Sequence, residues 1–334
     1  MFDAGSTKDG TMNNTPIISI NSLSKNFEVN SSIFIKSKMT VKAIDNLDLN
    51  INKGEILGLV GESGCGKSTL GQILLCLEKE SSGTVNFHGK NILKLKAKEV
   101  RKLRSHMQMI FQDPFASLNP RNTVGTILSE PFRIHNKNLS KKEVDKLVCK
   151  LLEQVELSPD YYRRYPHEFS GGQRQRIGIA RALALDPEFV VCDEAVSALD
   201  VSIQAQILNL LSELQTKHNL TYLFIAHDFN VVQYMSDRIA VMYLGRIVEL
   251  VPIEKLDKNY MHPYTQGLIF STPSLQPTNE QKFVIKGEAP SSVNPPSGCH
   301  FHPRCKYRMG ICDKAVPPMV EVEKGHWIKC FIYK

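Results

Sequence analysis

The chain has 334 residues, 42% apolar and 22% charged, with 20 glycines and 17 prolines. This is ordinary globular composition sufficient for about two domains, which excludes disordered, collagen-like and coiled-coil classes. Lys and Arg outnumber Asp and Glu by 41 to 34, and this mild excess selects no anionic partner by itself.

No apolar stretch approaches the roughly 18 to 20 residues needed to cross a bilayer. The first fifteen residues lack the basic-then-apolar layout of a signal peptide, so a soluble, cytoplasmic chain is expected. Residues 1–16, rich in Asn, Thr and Gly, read as a flexible tail. The near-continuous apolar runs 56–60, 189–192 and 222–226 suit strands buried on both faces of a parallel sheet. The basic stretch from Lys90 to Arg104 lacks aromatics to stack bases, so it reads as a solvated helix face and no nucleic-acid partner is expected. Ser140 with Glu143 forms a capping box ahead of Val144, Leu147, Val148, Leu151, Leu152 and Val155 at helical spacing. Asp200 caps a second helix carrying Ile203, Ile207, Leu210, Leu211 and Leu214. Residues 242–248 resemble a hairpin turning at Gly245. Beyond Pro252, frequent Pro and Ser mark a loop-rich second module. The fold class is α/β.

Gly61-Glu62-Ser63-Gly64-Cys65-Gly66-Lys67-Ser68-Thr69 fits G-x-x-x-x-G-K-[ST] and directly follows the 56–60 strand. Its glycines let backbone N–H groups turn inward around phosphates at a helix N-terminus. Lys67 would reach the β- and γ-phosphates and Ser68 would ligate Mg²⁺. The 189–192 strand ends in Asp193-Glu194. A carboxylate at a strand tip can hold Mg²⁺, usually through water, and Glu194 beside it can polarise an attacking water. A Gly-rich turn that binds nothing and an exposed acidic turn are the alternatives, and the strand context disfavours both.

Phe169-Ser170-Gly171-Gly172-Gln173 resembles the signature motif of ATP-binding cassette (ABC) proteins. The resemblance implies a phosphate-loop core with a mainly parallel sheet, an antiparallel β subdomain and a helical signature subdomain. It also implies that Ser170, Gly171, Gly172 and Gln173 close over the ATP held by a partner cassette. Other landmarks match in order. Gln112 looks like the Q-loop glutamine that senses Mg²⁺ and the membrane subunit, Asp200 like the D-loop aspartate and His227 like the switch histidine. Lys67 precedes Ser170 by 103 residues and Ser170 precedes Asp193 by 23, which leaves no room for a long coiled coil. One landmark departs: the aromatic that stacks on adenine aligns with Asn26, so the neighbouring Phe27 either stacks on the base or is core.

The segments 113–121, 193–204 and His262-Pro263-Tyr264-Thr265 resemble the oligopeptide/dipeptide importer branch, which includes nickel uptake systems. Ala195-Val196-Ser197 is closer to its F-type subunit. What this implies is an ATPase acting as a dimer of cassettes on two transmembrane permeases, at the cytoplasmic face of the membrane. A sibling D-type ATPase and an extracytoplasmic peptide-binding protein would complete the system. The expected organisation is a tail over 1–16, a cassette over 17–255 with its helical subdomain at about 113–175, and a C-terminal extension over 256–334. Soluble relatives acting on DNA or ribosomes usually carry two cassettes, coiled coils or zinc insertions, and kinases and GTPases need no such signature. Exporters often fuse ATPase and membrane spans.

Four of the eight cysteines, Cys299, Cys305, Cys312 and Cys330, crowd into the last tenth of the chain. Four thiolates can enclose an iron–sulfur cluster, and His300, His302 and His326 keep a mixed zinc site open. Residues 298–305 resemble importer ATPases with a C-terminal [4Fe–4S] cluster. The expectation is a [4Fe–4S] cluster, with Zn²⁺ or unligated thiols as alternatives, beside ATP and Mg²⁺.

Overall fold

The structure, a computed structural model, describes residues 16–30, 38–256, 261–271 and 285–334. All but the last residue of the expected tail lies outside these. The chain begins with β1 (Pro16–Asn30), β2 (Lys38–Asn52) and β3 (Ile56–Val60), then α1 (Lys67–Leu74), β4 (Ser82–Phe87), β5 (Lys90–Asn91), α2 (Ala97–Leu103) and β6 (Met107–Ile110). A helical stretch follows as α3 (Pro114–Ser117), α4 (Val124–His135), α5 (Lys141–Gln154) and α6 (Gly171–Leu183). Next come β7 (Phe189–Asp193), α7 (Val201–His218), β8 (Thr221–Ile225), α8 (Phe229–Met235), β9 (Arg238–Tyr243) and β10 (Arg246–Pro252). The last elements are α9 (Pro263–Ser271), β11 (Val320–Glu323) and β12 (His326–Ile328).

Two sheets form: an antiparallel one in the order β2-β1-β4-β5, and a larger one in the order β11-β12-β10-β9-β3-β8-β7-β6. Within the larger sheet the run from β9 to β6 is parallel. Its central strands are apolar along their whole length because both faces are covered. Along β8, Tyr222 and Phe224 join one core with the α4–α7 helices, while Leu223 and Ile225 join a second with α1 and the antiparallel sheet. The same alternation runs through Val190 and Cys192 against Phe189 and Val191 in β7. Each such fully buried side chain contributes about 1.5 to 3 kcal/mol.

The helices start where the sequence signals them. Ser140 accepts from the Glu143 N–H while the Glu143 carboxylate accepts from the Ser140 N–H, and Asp200 accepts from the Ile203 N–H. The apolar stripe of α5 buries Val144, Val148, Leu151 and Leu152. Helix α8 lies close on β3 because Gly58 has no side chain: a Cβ there would stand 2.3 Å from both Val232 Cγ1 and Ser236 Oγ. The hairpin at Gly245 forms as β9 and β10. The second module, however, does not stand apart. Its strand β12 pairs antiparallel with β10 and β11 pairs antiparallel with β12, so both extend the larger sheet. The alternation of Val320-Glu-Val-Glu323 is short and half exposed, so it gave no strong strand signal.

Candidate functional site

The parallel strands carry their conspicuous groups at their C-terminal ends, where loops converge. After β3 comes the glycine loop and α1. Gly66 takes φ 109°, and a Cβ on it would stand 2.1 Å from the Ala43 carbonyl oxygen, so only glycine fits. The Lys67 ammonium, buried with its side chain, donates to the carbonyl oxygens of Gly61 at 2.7 Å and Glu62 at 3.1 Å. The lysine thus ties the first two residues of the loop to the start of α1. Burial pushes the Cys65 thiol up despite the Lys67 charge, leaving it a packed, protonated side chain. Thr69, two residues beyond Lys67, lies in the first turn of α1.

Ser68 Oγ donates to Asp193 Oδ1 at 2.9 Å, joining the first turn of α1 to the tip of β7. Burial raises the Asp193 pKa, the Ser68 hydrogen bond opposes this, and the adjacent Glu194 charge reinforces it. Such a carboxylate is poised for a cation to compensate its buried charge. Glu194 takes a left-handed φ of 47°, a conformation costing of order 1 to 3 kcal/mol for a non-glycine residue. The turn aims its carboxylate at two groups. Gln112 Nε2 donates to Glu194 Oε2 at 2.7 Å, and His227 Nδ1 lies 3.6 Å from the same oxygen. Three loops therefore meet on one carboxylate.

The signature residues open α6. Ser170 Oγ accepts from the Gln173 N–H at 3.3 Å, and Gln173 Oε1 accepts from the Ser170 N–H at 3.1 Å. Gly172 allows α6 to meet α7, since a Cβ there would stand 2.4 Å from Ile203 Cγ2. Gly171 is looser, 3.5 Å from Leu199 Cδ2. The Asp200 carboxylate is occupied capping α7 and accepting from Ser202 Oγ, which lowers its pKa.

Comparison with known proteins decides the family. The ABC transporter family matches residues 44–197, and the oligopeptide/dipeptide transporter C-terminal region matches residues 248–312. The chain is 48% identical to the oligopeptide transport ATP-binding protein AppF of Bacillus subtilis over 96% of its own length and 98% of that protein's. It is 49% identical to the putative oligopeptide transport ATP-binding protein YkfD of the same organism, over 97% of each. The chain belongs to the ABC transporter family. Within it, the chain falls among the oligopeptide transport ATP-binding proteins of the AppF kind. A solved cassette, the dimeric post-hydrolysis state of MJ0796 bound to ADP and Pi, superposes with TM-score 0.63 at 28% identity. It covers 71% of this chain and 98% of that one. The ABC chain described here is an ATP-binding, ATP-hydrolysing cassette.

Two further groups singled out in the sequence are Phe27 and the C-terminal cysteines. Phe27 lies beneath the Lys25 ammonium, 4.4 Å from its ring centroid. That ammonium donates to Glu78 at 2.7 Å and to the Lys79 carbonyl, both beyond the C-terminal end of α1, whereas the phosphate loop is at its N-terminal end. The four C-terminal cysteines are free thiols. Burial, reinforced by the neighbouring thiols, pushes Cys305 and Cys330 up to about 11. The donors match a four-thiolate set in type and number. Among the described residues, though, no group of three or more His, Cys, Asp or Glu side chains converges as a metal-ligand set.

Sequence reasoning missed how the second module touches this site. The Tyr264 hydroxyl accepts from the Glu62 N–H at 2.8 Å, and Arg304 holds the Glu62 carboxylate. Tyr264 was visible only as part of His262-Pro-Tyr-Thr265. Below it, Glu249 is fully buried and accepts from the His262 N–H at 2.9 Å, from Thr265 Oγ1, and from His326 Nε2 at 2.8 Å. This network accounts for the hydroxyl at 265, while the His262 ring serves by accepting from the Tyr264 N–H at its Nδ1, 3.1 Å away. Arg174 was also missed: its buried guanidinium donates to the carbonyls of Pro166 at 2.6 Å and His167 at 3.3 Å, fixing the approach to the signature.

Proposed function

We propose that this cassette energises a membrane importer for oligopeptides or dipeptides, docked as a dimer of cassettes on two permease subunits at the cytoplasmic face of the membrane. The observation that carries the mechanism is the meeting of Gln112 and His227 on Glu194, beside the Ser68–Asp193 pair. Peptide cargo is supported by the resemblance to oligopeptide transport ATP-binding proteins along almost the whole chain.

In this reading Gly61 to Thr69 cradle the phosphates, and Lys67 reaches the β- and γ-phosphates. Ser68, Asp193 and Gln112 hold Mg²⁺, which would neutralise charge on the β- and γ-phosphates. Glu194 orients and deprotonates the attacking water, His227 contacts the γ-phosphate, and Gln112 reports occupancy to the permease. Ser170 to Gln173 and Asp200 complete the partner cassette's site. Phe27 remains the candidate adenine platform. The cassette occupies 17–255 with its helical subdomain at about 113–175, and the extension 256–334. A cavity of about 680 Å³ lined by Phe111, Gln112, Glu130, Ile134 and Arg181 suits the permease, since Gln112 then belongs to both surfaces. No helix among the described residues is long and apolar enough to cross a membrane, which fits separate permease chains.

A D-type sibling ATPase and an extracytoplasmic peptide-binding protein complete the assembly, with no nucleic-acid partner. Cys299, Cys305, Cys312 and Cys330 hold a [4Fe–4S] cluster, or Zn²⁺ in its place. Ligation would require the raised thiols to lose their protons to the metal. Affinity purification of the full chain from detergent-solubilised membranes, with mass spectrometry and metal analysis, tests this. Two permeases and a second cassette are expected, with brown colour near 400 nm and about four irons per chain. Recovery with ribosomal or DNA-repair partners would overturn import, and colourless protein with stoichiometric zinc would overturn the cluster.

A further inference from the structure

The loop between Cys299 and Cys305 touches the phosphate loop, although binding a nucleotide does not require a second module there. Arg304 has a side chain only 8% exposed. Its Nη1 donates to Glu62 Oε2 at 2.8 Å and its Nη2 to Glu62 Oε1 at 3.0 Å, a two-point clamp on the second residue of the phosphate loop. Nη2 also donates to the Gly287 carbonyl at 3.0 Å, and Nη1 to the Tyr243 hydroxyl at 3.4 Å. Burial works against the Arg304 charge, but the hydrogen bonds to Glu62 and Tyr243 and the Glu62 charge hold its pKa above the usual value.

Three residues earlier, Phe301 is buried with its ring centroid 5.3 Å from Tyr243 and 5.4 Å from Tyr264. Tyr264 accepts from the Glu62 N–H. Glu62 is thus held by its main chain through Tyr264 and by its side chain through Arg304. Its carbonyl oxygen in turn receives Lys67. A continuous path of packed and hydrogen-bonded groups runs from the Cys299–Cys305 loop to Lys67, the lysine of the phosphate loop.

We propose that Arg304 is a positioning residue for the phosphate loop, and that through its clamp on Glu62 the C-terminal cysteine module sets the affinity of this cassette for ATP. The effect is reciprocal: MgATP in the loop must change the stability of the Cys299–Cys305 segment by the same factor. The inference rests on ATP binding at this loop and is independent of the cargo.

The test uses the full chain, a fluorescent ATP analogue with Mg²⁺, and hydrogen–deuterium exchange of residues 299–305. Arg304→Ala is expected to raise Kd and KM about tenfold, within the usual range for coupled sites, with a smaller effect on kcat. MgATP should slow exchange over 299–305 in the unaltered chain and leave it unchanged in Arg304→Ala. Should Arg304→Ala not fold, Arg304→Lys, which keeps the charge but loses the two-point geometry, should give an intermediate Kd. Unaltered Kd in the variant, or the same nucleotide-dependent exchange, would overturn the proposal. An unaltered chain that bound no nucleotide would overturn the loop assignment as well.

Discussion

Glu249 Oε1 and His326 Nε2 are hydrogen-bonded at 2.8 Å, and neither side chain is more than 1% exposed. The contact joins β10 of the cassette to β12 of the C-terminal module. Removing one partner leaves a buried polar group unsatisfied, at a cost of about 1 to 3 kcal/mol. His326→Ala is therefore expected to lower the thermal midpoint of the whole chain by several degrees. A separate early transition for the module would instead mean that the shared sheet does not unite the two parts.

The catalytic assignment predicts a separation of binding from turnover. Glu194→Gln keeps the size of the side chain but removes the carboxylate that both Gln112 and His227 approach. ATP affinity should persist while hydrolysis falls by about 10² to 10⁴. Single-turnover hydrolysis close to the unaltered rate would remove Glu194 from the role.

Gly172 offers a test of the cross-dimer site. A methyl group there would strike Ile203 Cγ2 and force α6 from α7, an overpacking worth about 1 to 3 kcal/mol. Gly172→Ala should weaken MgATP-dependent dimerisation and steady-state turnover at least severalfold, with nucleotide binding by the single chain retained. Sedimentation velocity with and without MgATP reads this, and equal dimer formation in both chains would refute it.

Two buried histidines predict the pH dependence of stability. Burial lowers His262 to about 3, and burial with the Arg246 charge lowers His300 to about 4, against an ordinary 6.5. Between these values and 6.5 the unfolded chain binds protons that the folded chain refuses, so their contribution is complete above 6.5 and is lost as pH falls. The slope is up to about 1.4 kcal/mol per pH unit for each histidine. Urea midpoints at pH 7.5, 6 and 5 should fall accordingly, and His300→Gln should flatten the trend. An unchanged slope in that variant would show that other groups dominate.

Much of this was legible from local pattern. The strands at 56–60, 189–193 and 221–225 are apolar on both faces because helices and a second sheet cover them, and the caps at Ser140, Ser170 and Asp200 announce α5, α6 and α7. Asp193 and Glu194 were findable at the tip of an apolar strand, and His227 through its resemblance to the switch histidine after the next such run. What escaped was non-local. Arg304 and Glu62 are 242 residues apart, and no periodicity relates them. The strands β11 and β12 are too short and too exposed to declare themselves before β10 offers them an edge. Phe27 reads from sequence as either a stacking ring or core, and its contact with Lys25, which Glu78 holds, is equally non-local.

Gly58 lies midway along β3 beneath α8, and only residues 226–228, His227 among them, separate β8 from α8. With α8 resting directly on bare backbone at Gly58, the height of that helix above the sheet is set by the thickness of a peptide group. A hydrogen atom stands there where every other residue would place a carbon, so the seat of the helix that follows His227 is fixed from beneath.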